Sequence, residues 1–200
     1  MRFRVLNRYP LYDYREACKV TQGKDLELAL NWEPKDETEF WIKQIVANHS
    51  TLRCVHFRLI DTRPKSVIMQ IIRATKGHPQ PEVQSSRPDW TGKERSSDPY
   101  EDKLFMQDHT AESFVEMAKQ RMCRRTEEKT RKFMYEMVAS LRSSDEPFLR
   151  AVGYCCMPSC QWYGGRCPEI KGCQIRDGNK LSDSILGQYK ADYVPEGKDR

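Results

Sequence analysis

The side chains best equipped for chemistry lie in two short runs, Gln70-Ile71-Ile72-Arg73 and Gln84-Ser85-Ser86-Arg87. Between the two arginines come hydroxyls, an amide, His78 and Glu82, with almost no apolar side chains. Packing does not account for such a segment. Its donors suit a phosphorylated ligand, because a guanidinium grips a phosphate through two parallel N–H bonds. A carboxamide such as Gln70 offers a ligand an adjacent donor and acceptor. Ser85 has no histidine and carboxylate pair to activate it, so it reads as a ligand-contacting or loop hydroxyl and not as a nucleophile.

Position depends on the elements that carry these runs. Residues 65–73 have a helical pattern in which Val67, Ile68, Ile71 and Ile72 form the buried face, with Pro64 in the first turn. Gln70 and Arg73, three apart, then point together off that face. Upstream, Val55, Phe57 and Leu59 alternate with His56 and Arg58, as in a half-buried strand. Residues 2–6 alternate likewise. Asp36 and Glu39 have capping-box spacing ahead of a helix that buries Trp41 and Ile45. Residues 74–103 read as loop, and 110–141 as a long helical stretch with Phe114, Met117, Met122, Phe133, Met137 and Leu141 inward. His109 precedes a helix cap, and the methionines read as core filler.

The totals bound the interpretation. A chain of 200 residues is one domain, or one domain with an appendage. Hydrophobic residues make up 38% and mean hydropathy is −0.81, a thin core that an oligomer would complete. Thirty-four basic and 29 acidic side chains leave a net charge of +5, which suits an anionic ligand. The charges are too well mixed for a nucleic-acid stripe. The N-terminal segment has no signal-peptide apolar run, and no long apolar span occurs, so the expectation is a cytoplasmic protein without membrane association.

Taken in order, these motifs resemble those of the flavin-dependent thymidylate synthases over roughly residues 15–140. That family carries a strand, a helix ending Gln-x-x-Arg-His-Arg, and a loop ending Gln-Ser-x-Arg. Here Gln70 and Arg73 stand in register on the helix, and Gln84, Ser85 and Arg87 in the loop. His49-Ser50-Thr51 resembles the family's His-x-Ser/Thr element, and Arg121, Cys123 and Arg131 its late-helix Arg-x-Cys element. The resemblance implies an α/β fold, a small and largely antiparallel sheet flanked by helices, within residues 1–150. It implies an FAD-dependent methyltransferase acting on dUMP or a close pyrimidine nucleotide, with methylenetetrahydrofolate and NADPH as cosubstrates, in a homotetramer with shared sites. Gln70, Gln84, Ser85, Arg87 and Arg121 would hold the nucleotide; His49, Thr51 and Arg73 would face the flavin. No catalytic side chain is assigned. The sequence departs from the family where Ala74 and Thr75 replace the His and Arg after Arg73, and where Glu112 and Pro88 replace an Arg and a Tyr.

A Cys-rich module is expected over residues 151–176, followed by a polar tail over 177–200. Cys156, Cys160, Cys167 and Cys173 have the count for a four-thiolate site binding zinc or an iron–sulfur cluster, though the spacing is looser than paired C-x-x-C ligands. Reduced thiols packed in a small subdomain fit the same pattern. Two other functions stay open from sequence. One is a divergent flavin-free protein that binds or modifies a pyrimidine nucleotide. The other is a metal-stapled interaction or nucleic-acid-binding protein, with Trp90 and Trp162 as the candidate stacking residues.

Overall fold

The computed structural model describes residues 1–25, 33–75, 81–92, 94, 96–163 and 189. The strands are β1 (Arg2–Val5), β2 (His56–Pro64), β3 (Glu82–Val83) and β4 (Asp102–Thr110). The helices are α1 (Pro10–Thr21), α2 (Glu37–Ala47), α3 (Lys65–Ala74), α4 (Pro88–Thr91), α5 (Ala111–Arg121), α6 (Glu128–Arg142), α7 (Pro147–Cys155) and α8 (Ser159–Trp162). A 3₁₀ turn, Ser50–Cys54, leads into β2.

All the pairings are antiparallel, in the order β1-β2-β4-β3. The result is an α/β fold with a small four-stranded antiparallel sheet. Alternation in β2 puts Phe57 and Leu59 on the core face and leaves His56 exposed. Helices cover that face: Phe57 meets Phe114 of α5 and Phe148 of α7, and Phe105 of β4 meets Phe133 of α6, all edge-on. On the other face, Arg58 and Asp108 make a two-pronged pair at 2.6 and 2.7 Å between directly opposed positions.

The capping motif ahead of α2 is present, since Asp36 accepts from the Glu39 N–H at 2.9 Å. At its other end Asn48 takes the left-handed conformation that stops a helix. Trp41, fully buried, anchors α2 through ring contacts with Tyr14, Phe40 and Phe148.

Several boundaries differ from expectation. The segment 74–103 is not all loop, because it contains β3, α4 and the first residues of β4. The stretch 110–141 is two helices, not one. Glu127 turns its carboxylate onto the N–H groups of Lys129 and Thr130, and so caps a new helix after α5 has ended. Pro64 closes β2 at the N-cap of α3 and does not enter its first turn. In α3 the fourth buried residue is Ala74, while Ile72 is only partly covered. His109 does precede a helix cap, Thr110 of α5, and it is fully buried in β4 beside Phe57 and Phe114. The position 150/151, expected to separate a main domain from the Cys-rich module, lies inside α7, whose Phe148, Ala151 and Val152 belong to the main core.

Candidate functional site

Arg73 and Arg121 stand at the C-terminal ends of α3 and α5, two helices that pack on each other. The buried face of α3, Val67, Ile68, Ile71 and Ala74, fixes the helix against the core and leaves Gln70 half-buried and Arg73 exposed. In α5, Phe114, Met117 and Ala118 are buried, and Arg121 is the last residue. A cation suits each position, since a helix C-terminus carries partial negative charge. The two guanidiniums nonetheless act on each other. Burial, and then the charge of Arg73, pull the Arg121 pKa below its ordinary value. The Arg121 Nε is enclosed and has no hydrogen-bond acceptor. Neither arginine forms an ion pair with a carboxylate among the described residues, although Lys119, two residues before Arg121, pairs with Glu116.

This arrangement is costly unless something anionic completes it. Buried polar hydrogens normally find acceptors, and like charges normally find counterions. An anion with several oxygens, such as a phosphomonoester, would accept from both guanidiniums and offset both penalties.

Polar groups also meet just past the end of α3. Thr75, immediately after α3, donates its hydroxyl to Ile71 O at 3.1 Å and accepts from Gln107 Nε2 at 3.1 Å. Gln107 is 2% exposed, on β4, and its Oε1 has no partner. Thr75 stands out in the sequence only as a departure from the family motif, and Gln107 not at all. The only available signal was an amide placed between Phe105 and His109 at strand spacing, and it becomes legible once β4 is recognised as a strand.

The other expected site residues lie elsewhere and have local work. Gln84 extends the β3–β4 pairing: its N–H donates to Leu104 O at 2.8 Å and its Oε1 accepts from Leu104 N at 3.2 Å. Ser85 Oγ accepts from the Arg87 N–H at 3.1 Å, a hydroxyl turn that starts α4. Arg87 is paired with Asp89 at 2.8 Å and lies 4.8 Å over the exposed Trp90 ring. No hydrogen bond or ion pair connects residues 84–87 with Arg73 or Arg121 among the described residues.

His49 is exposed at the start of the 3₁₀ turn, without a capping bond. Thr51 is half-buried in that turn, near the Tyr14 phenol, whose pKa burial pushes up to about 12 and which donates to Gln44 at 2.7 Å. Glu112, standing where the resemblance expects an arginine, receives one from outside: Arg53 donates to it at 2.8 and 3.3 Å.

Of the four thiols expected to bind metal, Cys156 is fully buried at the end of α7 and Cys160 half-buried in α8. Burial pushes the Cys156 thiol up to about 12, so it is protonated and packed as a small apolar group. Cys167 and Cys173 lie outside the described residues, as does His78. Among the described residues no group of three ligand side chains gathers, and no helix is long and apolar enough to cross a membrane.

No family model, no curated protein and no solved structure matches the chain.

Proposed function

We propose that the chain binds a phosphorylated pyrimidine nucleotide, dUMP or a close relative, and acts on it as an enzyme similar to the flavin-dependent thymidylate synthases. The observation that carries this reading is the Arg73–Arg121 pair, two cations without carboxylate partners among the described residues, at the ends of packed helices. Phosphate bridges the two guanidiniums, and Gln70, one turn before Arg73 on the same helix, is placed for the base. Arg73 therefore belongs with the nucleotide phosphate, beside Arg121, and not with the flavin alone. Gln84, Ser85 and Arg87 project from an exposed turn, where they would serve a neighbouring copy in a homo-oligomer with shared sites.

The residues present fit a flavin less well than a phosphate. Ala74 faces the core at 1% exposure, and the Thr75 hydroxyl is engaged with Ile71 and Gln107. Of the residues the resemblance assigns to the flavin, Arg73, His49 and Thr51 are left to hold FAD, and Thr51 is half-buried. No chemical step is drawn through the cofactor. This observation favours a second reading, a flavin-free protein that uses the same nucleotide site.

Two measurements separate the readings. Visible absorption after incubation with FAD and desalting reports cofactor retention. Conversion of dUMP in the presence of FAD, NADPH and methylenetetrahydrofolate reports turnover. Retained flavin with dTMP formation supports the enzyme; dUMP binding without flavin supports the second reading; no interaction with dUMP sinks both.

A further inference from the structure

The two arginines sit on different parts of the chain, and like charges push their carriers apart. Arg73 is one residue from the end of α3, where a helix frays most easily. Thr75 N–H bonds Ile72 O at 3.1 Å, and its hydroxyl donates to Ile71 O, the closer of the two acceptors it faces. The Thr75 hydroxyl proton is therefore committed, and its oxygen is left to accept from Gln107 Nε2. That bond fixes which way the Gln107 amide points. Gln107 belongs to β4, which runs directly into α5. The Met117 sulfur of α5 lies 3.7 Å from the same Thr75 hydroxyl, and Arg121 follows Met117 by about one turn. A part-buried hydrogen bond thus ties the helix end carrying Arg73 to the strand–helix unit carrying Arg121.

We propose that Thr75 and Gln107 are positioning residues of the anion site: they hold Arg73 against Arg121 so that one phosphate engages both guanidiniums. Neither touches the phosphate itself. The inference rests on the anion-site reading above and adds to it the device that keeps the pair assembled in the absence of ligand.

The test uses calorimetric titration with inorganic phosphate and with dUMP, alongside thermal melting of each variant. Thr75→Val removes the hydroxyl at nearly constant volume, and Gln107→Met removes the amide at similar length. Each weakens binding of both ligands about 3–10-fold, the effect of one hydrogen bond, while melting remains cooperative. Thr75→Ser, which keeps the hydroxyl, binds like the wild type. In an Arg73→Gln background, where dUMP binds through Arg121 alone, adding Thr75→Val costs nothing more, because the bond acts through Arg73. Wild-type affinity in Thr75→Val overturns the inference, as does an equal loss with and without Arg73. Wild-type protein indifferent to both phosphate and dUMP instead removes the anion site itself, and this inference with it.

Discussion

Replacing Arg121 with methionine should make the protein more stable while abolishing anion binding. The wild-type side chain buries an Nε–H with no acceptor and faces the charge of Arg73. An enclosed donor without a partner costs about 1–3 kcal/mol, and repulsion between half-exposed like charges adds at most about 1 kcal/mol. Losing the cation at the α5 C-terminus removes about 0.3–1 kcal/mol of helix-end interaction. Methionine keeps most of the stem packing. The balance favours the variant by about 1 kcal/mol, which for a chain of this size raises Tm by about 2–4 °C. Differential scanning fluorimetry with and without phosphate reads both halves of the claim. Wild-type Tm climbs with added phosphate, by the equivalent of about 2.7 kcal/mol at a hundredfold excess over Kd. The Arg121→Met curve starts higher and stays flat. A variant that melts several degrees lower and still responds to phosphate would show that Arg121 is a structural residue, and the reasoning would fail.

Three further outcomes follow from other parts of the molecule. Gly153→Ala places a Cβ 2.7 Å from Arg142 N and 2.9 Å from Leu141 Cβ, where α7 crosses α6; chemical denaturation should show a loss of about 1–3 kcal/mol or more, as for overpacked cores. The Asp108 carboxyl is held below its ordinary value first by its hydrogen bond to Arg58. Its contribution to stability is therefore complete above the ordinary carboxylate range and lost as pH falls through the lowered value, and Asp108→Asn should flatten that acid limb of the Tm–pH curve. Burial raises the pKa of both Cys155 and Cys156; mass spectrometry after brief native alkylation should find these two unlabelled and the half-buried Cys123 and Cys160 labelled, and rapid native labelling of Cys156 would contradict the packing described.

How much of this was legible from sequence depended on whether core-facing residues were apolar. Residues around β2, α2 and α3 announced themselves because Phe57, Leu59, Trp41, Ile45, Val67, Ile68 and Ile71 recur at the period of their element. β4 did not. Its inward residues are Lys103, Phe105, Gln107 and His109, while Leu104 and Met106 face outward. The usual apolar-in pattern is nearly reversed there, because the inward polar groups are partnered: Lys103 pairs with Glu101 and Gln107 with Thr75. Missing that strand also hid Gln107 as a member of the site.

The site itself was half legible. Arg73 and Arg121 were both visible as ligand residues, but from sequence they belonged to different ligands, and only the packing of α3 against α5 sets their charges against each other. For Gln84, Ser85 and Arg87 the reverse holds. Motif spacing drew attention to them, yet Ser85 bonds the turn's own backbone, Gln84 the Leu104 backbone of β4 and Arg87 the Asp89 carboxylate, and spacing cannot weigh that competition.

The most direct test compares dUMP with deoxyuridine by isothermal titration calorimetry, on wild-type protein and on Arg73→Ala and Arg121→Ala. The account predicts that wild type binds dUMP and not deoxyuridine at the same concentrations, and that each variant binds dUMP more weakly than wild type. Equal binding of deoxyuridine, or undiminished dUMP binding by either variant, would contradict a phosphate held between Arg73 and Arg121.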